Sequence, residues 1–190
     1  MHLNPLIVTE ILDFISSRED RMKTILNLAA QGELPLRITH NDTKFNNVLL
    51  DQNDQAQCVI DLDTVMPGYV AYDFGDAIRT IINPVEEDEK DLSKIVLNIP
   101  LYAAYVEGYL NEAKEFLTDV EVHSLLEGVF LLPYMQGVRF LTDYLEGDHY
   151  FKTKYNDHNL VRTKTQFKLV EEMERQEEEL KSAISSVLQD

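Results

Sequence analysis

Cysteine is almost absent from this 190-residue sequence. Cys58 is the only one, so no intramolecular disulfide can form, which fits a reducing compartment. Basic residues are scarce too. Seventeen Lys and Arg face 34 Asp and Glu, for a formal charge of −17. Such a chain repels nucleic-acid phosphates and anionic lipid surfaces, so neither a nucleic-acid nor a membrane partner is expected. An anionic ligand would need a local site in which a metal ion or a Lys offsets the field. No apolar run approaches the roughly 18 residues of a membrane span. Residues 1–5 lack the basic and apolar segments of a secretion signal, so a cytoplasmic location is the expectation.

Apolar material for a core is present: 44% of residues are hydrophobic, including eight Phe and nine Tyr. That suffices for one compact domain. Ile7, Ile11, Phe14 and Ile15 recur at helical spacing, continued by Met22, Ile25, Leu26 and Ala29. This predicts one or two helices ending at Gly32, a suitable residue just past a helix end. Leu36 to Thr39 predicts a short strand. Val48–Leu50 and Gln57–Ile60, separated by a turn-rich stretch, predict a β-hairpin that buries Cys58. Met66-Pro67-Gly68 reads as a chain break and Asp73 as the cap of a helix running through Ile82. Glu86 to Asp91 reads as a solvated loop or helix start. From Leu101 onward the pattern is helical, with stripes at Ala104, Tyr105 and Tyr109 and at Leu125, Val129, Leu132 and Met135. A single last helix would bury Leu169, Val170, Met173, Leu180, Ile184 and Val187, with Glu171, Glu172, Glu174 and Glu177 to Glu179 as its wet face. The expectation is a mainly helical α+β domain over 1–190, with its chemistry crowded around a small hairpin.

That chemistry lies in His40-Asn41-Asp42-Thr43-Lys44-Phe45-Asn46-Asn47. His-x-Asp followed four residues later by Asn is the spacing of a kinase catalytic loop. One carboxylate, Asp42, orients the attacking hydroxyl. One amide, Asn47, offers Mg²⁺ a neutral oxygen. Lys44 can offset charge on the transferring phosphoryl. His40 is expected to shape the loop. A further metal carboxylate is needed on the far hairpin strand, and Val59-Ile60-Asp61-Leu62-Asp63 supplies it. Asp61 lies 19 residues after Asp42. Asp63 is the candidate second-metal ligand or supporting group. Asp73-Phe74-Gly75 spells another kinase tripeptide, but Asp73 lies 31 residues after Asp42 and precedes a helical pattern. Asp76 is assigned as a buried anchor for the catalytic loop.

These segments resemble the aminoglycoside phosphotransferase and choline kinase superfamily, which is protein-kinase-like. The blocks His40 to Asn47, Val59 to Gly68, Tyr72 to Asp76, Arg139 to Asp148 and Asn159 to Thr163 resemble the N-acetylhexosamine 1-kinases. The resemblance implies the C-terminal catalytic lobe of a kinase fold. It also implies transfer of the ATP γ-phosphoryl, with Mg²⁺, to the anomeric hydroxyl of N-acetylglucosamine or N-acetylgalactosamine. Arg139 and Tyr150, in the blocks matching the sugar-site region, are the candidate sugar contacts. Only 39 residues precede His40. They hold one Gly, and Lys23 lies on a helical pattern. An N-terminal ATP-binding lobe is therefore expected to be absent, supplied by another chain, or lost in a non-catalytic remnant, and the isolated lobe is expected to be slow or inactive. Choline or an aminoglycoside stands as the alternative phosphoryl acceptor.

Overall fold

The computed structural model describes residues 5–189, with side chains from residue 8 onward. Helices α1 (Pro5–Met22) and α2 (Thr24–Ala30) come first, followed by strand β1 (Arg37–Thr39). Strands β2 (Val48–Leu50), β3 (Ala56–Val59) and β4 (Met66–Gly68) follow, then helix α3 (Val70–Ile81). Helices α4 (Ile99–Ala113), α5 (Asp119–Glu146), α6 (His158–Arg175) and α7 (Glu177–Val187) complete the chain. The architecture is mainly helical, as the periodicity predicts, with two small antiparallel pairs, of which the sequence predicts only the hairpin β2–β3. Gly32 adopts φ +77° just after α2, the left-handed conformation that glycine permits at a helix end. Ile7, expected on the apolar face of α1, lies outside the described side chains.

Helix α5 is the spine. It packs against α3 on one side and α6 on the other, while α4 lies against α7. Thr118 and Glu121 form a reciprocal capping box at its start, satisfying two of its free N–H groups. The core gathers Phe74, Ile78, Tyr102, Leu125, Val129, Phe130, Val170 and Met173, all essentially buried. Two glycines set the α3–α5 distance. A Cβ on Gly75 would overlap the Gly128 carbonyl, and a Cβ on Gly128 would overlap that of Ala71.

Several expectations are corrected. Met66-Pro67-Gly68 is strand β4, pairing antiparallel with β1 in the register Arg37↔Gly68 and Thr39↔Met66. The hairpin β2–β3 forms as predicted, Val48 opposite Val59, but Cys58 is exposed. Both of its faces stand clear of the helical core, so an apolar run there does not imply burial. In α4 the buried stripe is Tyr102, Val106, Leu110 and Ala113, with Ala104 exposed, one register away from the predicted one. The last helix is broken at Gln176 into α6 and α7. Its acidic face is not simply wet. Glu174 accepts a two-pronged pair from Arg18, Glu177 one from Arg21, and Glu172 is buried against Lys168 and Arg175. The acidic stretch after α3 is likewise engaged: Glu87 pairs with Arg79 and Asp88 with His158.

Candidate active site

The loop after β1 is held by α3. The backbone N–H groups of His40 and Asn41 each donate to one Asp73 carboxylate oxygen, both at 2.7 Å, and the Thr43 hydroxyl donates to the Asp73 carbonyl. Asp73 is thus the anchor of the loop. It is not a helix cap, because α3 begins at Val70 with Tyr69 at the cap position. Since β4 runs almost directly into α3, Asp73 sits one turn inside the helix and faces the loop. Asp76, the expected anchor, makes no hydrogen bond to the loop. It pairs with Arg79 at 2.8 Å. One helical turn separates the two roles, and the sequence does not say which carboxylate faces which way. Burial pushes the Asp73 carboxyl up, against the opposing pull of the two N–H groups.

The His40 ring makes two hydrogen bonds. Its Nδ1 accepts from the Asp42 N–H at 3.3 Å, which leaves Nε2 to donate to the Ile60 carbonyl at 2.9 Å. The ring thereby joins the catalytic loop to the end of β3. The Thr64 hydroxyl donates to the His40 carbonyl at 2.7 Å, and the Ile60 N–H donates to the Asn47 carbonyl at 2.9 Å. The segment after β3 that carries Asp61 is therefore fixed to the loop carrying Asp42.

At the centre, Asp42 Oδ2 receives Lys44 Nζ at 2.6 Å and Asn47 Nδ2 at 3.0 Å. Asn47 Nδ2 also donates to the Asp42 carbonyl at 2.8 Å. Asp61 brings Oδ2 to 3.9 Å from the same Lys44 ammonium, with its backbone in the left-handed region at φ 65°, which Asp tolerates better than most residues. Partial burial pushes the Asp42 carboxyl up, but the hydrogen bonds from Lys44 and Asn47 and the lysine charge outweigh it and hold it below the usual value of 3.8. The hydrogen bond to Asp42 likewise lifts Lys44 above its ordinary value, against a smaller cost of burial. Asp63 lies exposed on the turn after Asp61 and shares no described hydrogen bond or ion pair with this cluster.

Asp42 and Lys44 border an open cleft of about 1110 Å³. Its other walls carry Asp76, Arg79 and Asn83 from α3 and its exit, Gln136 and Arg139 from α5, Tyr150 to Lys152, and Arg162 and Gln166 from α6. Both predicted contact residues are therefore in the cleft with Asp42. Arg139 donates to Gln136 at 3.1 Å and makes no described ion pair. Its guanidinium lies 5.9 Å from the Tyr150 ring centre and 5.5 Å from that of Phe151. Tyr150 is 75% exposed, so it is not a core residue. What the residue patterns missed is the support for this wall. The buried Asp143 carboxylate accepts from the N–H groups of His149, Tyr150 and Phe151 at 2.7 to 2.9 Å and from Asn159 at 2.9 Å. Within an apolar helical run, Asp143 gave no signal of that role.

Asn47 and Asp61 do not line the cleft. No cluster of three or more His, Cys, Asp or Glu suited to a metal occurs among the described residues. With Nδ2 turned to Asp42, Asn47 has only its Oδ1 to offer a cation; that oxygen and the Asp61 carboxylate fit Mg²⁺, which takes few protein ligands and completes its shell with phosphate and water. No described helix is long and apolar enough to cross a membrane.

Compared with known families, residues 8–118 match the model of the phosphotransferase enzyme family, APH. The match holds the catalytic loop, the Asp61 segment and the Asp73 anchor. Arg139 and Tyr150 lie beyond it. Covering well over half of the 190 residues, it establishes that the chain belongs to the APH family of phosphotransferases.

Proposed function

We propose that this chain is the phosphoryl-transfer lobe of a small-molecule kinase that uses Mg-ATP to phosphorylate the anomeric hydroxyl of an N-acetylhexosamine. One observation carries the reading: Asp42, pinned by Lys44 and Asn47, borders a cleft large enough for a sugar. A hydroxyl held in the cleft donates its proton to Asp42 as its oxygen bonds to the γ-phosphorus. The bond from that phosphorus to the bridging oxygen breaks, and ADP leaves. Asn47 and Asp61 would hold Mg²⁺, which neutralises phosphate charge when bound. Lys44 offsets charge on the moving phosphoryl. Arg139 can donate a fork of hydrogen bonds, and the exposed Tyr150 can pack against a sugar face.

A cationic phosphoryl acceptor such as choline or an aminoglycoside is the rival. The chain as a whole is strongly acidic, yet the cleft is lined by five basic and four acidic side chains. Its field therefore does not follow the charge of −17, which favours the uncharged sugar. Calorimetric titration with N-acetylglucosamine and choline, followed by ³¹P NMR of each mixture with Mg-ATP, tests this. Heat from the sugar alone and a slowly accumulating sugar 1-phosphate are expected. Asp42→Asn should form no product while keeping its helical circular dichroism. Phosphocholine as the product would defeat the sugar assignment, and full turnover by Asp42→Asn would defeat the role of that residue.

A further inference from the structure

We propose that the inner wall of the cleft, formed by Asp76, Asn83, Arg162 and Gln166, is a subsite that reads the hydroxyl groups of an uncharged, polyhydroxylated ligand. The proposal rests on the phosphoryl-acceptor role of the cleft and assigns the residues that recognise what enters it. Six buried side-chain polar atoms have no hydrogen-bond partner among the described residues, and four belong to residues lining this one cleft: Asp76 Oδ2, Asn83 Oδ1, Gln166 Oε1, and Arg162 Nε, which has only the Glu87 carboxylate at 3.9 Å. Asp76 and Gln166 are 8% and 3% exposed. Burying a polar atom without a hydrogen bond is costly, so four such atoms on residues lining one cleft mark side chains that gain partners by turning toward a ligand in it.

The chemistry of the four selects the ligand. Three are oxygens that only accept, and one is an N–H that donates. A ligand rich in hydroxyls supplies the missing donors and one acceptor. A quaternary ammonium has no N–H to offer, and a phosphate chiefly accepts. Charge is already balanced within the wall. Asp76 Oδ1 takes two hydrogen bonds from Arg79, at 3.1 and 2.8 Å. Arg79 also pairs with Glu87 at 2.9 Å, and Glu87 lies 3.9 Å from Arg162. Two acids and two arginines leave no net charge for a polycation. Arg162 and Gln166 lie one helical turn apart on α6, on the same face.

Calorimetric titration of the whole chain with N-acetylglucosamine as probe, repeated for Gln166→Met and Asn83→Ala, decides the matter. The parent should bind, and each variant should bind about tenfold more weakly. Gln166→Met should melt at the same or a higher temperature, because an apolar side chain of similar shape replaces an unpaired oxygen. Unchanged affinity in the variants overturns the proposal, as does a parent that binds no sugar or prefers choline. Sugar binding that weakens as expected, with no phosphate transfer to the sugar even after an ATP-binding lobe is supplied, upholds the subsite while defeating the kinase reading.

Discussion

Asp42 stays ionised because Lys44 and Asn47 both donate to the same carboxylate oxygen. A carboxyl held below its ordinary value contributes stability that is fully present above that value and is lost as pH falls through the lowered one. A ¹³C titration of the Asp carboxyls should therefore show Asp42 with a midpoint below 3.8, and Lys44→Met should move it up. A midpoint above 3.8 would mean that burial outweighs the lysine. Asp73 matters for another reason. Its two oxygens each accept a backbone N–H, and an amide can offer only one oxygen. Asp73→Asn should thus lower unfolding stability by roughly 1–3 kcal/mol, read from the urea midpoint, and raise hydrogen exchange at His40 and Asn41. Exchange unchanged at those two amides would remove Asp73 from the role of anchor.

At the scale of elements, the site depends on how closely α3 approaches α5. The helix that anchors the catalytic loop through Asp73 also carries Asp76 to the cleft, and its distance from α5 is set where Gly75 faces Gly128 and Gly128 faces Ala71. A methyl group there meets backbone, which cannot rotate aside. Gly128→Ala should cost about 1–3 kcal/mol or more in chemical denaturation and weaken ligand binding in the cleft together with stability. A variant of parental stability would show that the two helices can separate freely. On the opposite side, α5 and α6 position the remaining walls, and the Asp143 carboxylate fixes the segment that presents Tyr150. The two halves of the cleft are thus tied to the same long helix.

Across the whole molecule, the helical core is well enclosed while the strands are not. Leu36, Ile38, Val59, Leu62 and Met66 are each more than half exposed, and Cys58 stands on the open hairpin. A thiol reagent should label Cys58 fully in the native protein without changing its helical circular dichroism, and labelling only after denaturation would contradict an open hairpin. The sequence by itself determined the helical content, the hairpin, and the loop in which Asp42, Lys44 and Asn47 meet, because these rest on local periodicity and short spacing. It brought the Asp61 carboxylate to this loop for the same reason, since one hairpin separates Asp61 from the loop. Only the tertiary structure decided that Asp73 anchors the loop and Asp76 faces the cleft, that Asp143 holds the Tyr150 segment, and that acidic residues on α6 and α7 pair with α1. Those roles depend on which face of a helix meets which neighbour, and that is fixed by packing, between residues 6 to 8 positions apart at Asp143, 30 to 33 apart at Asp73 and 156 apart between α1 and the last two helices.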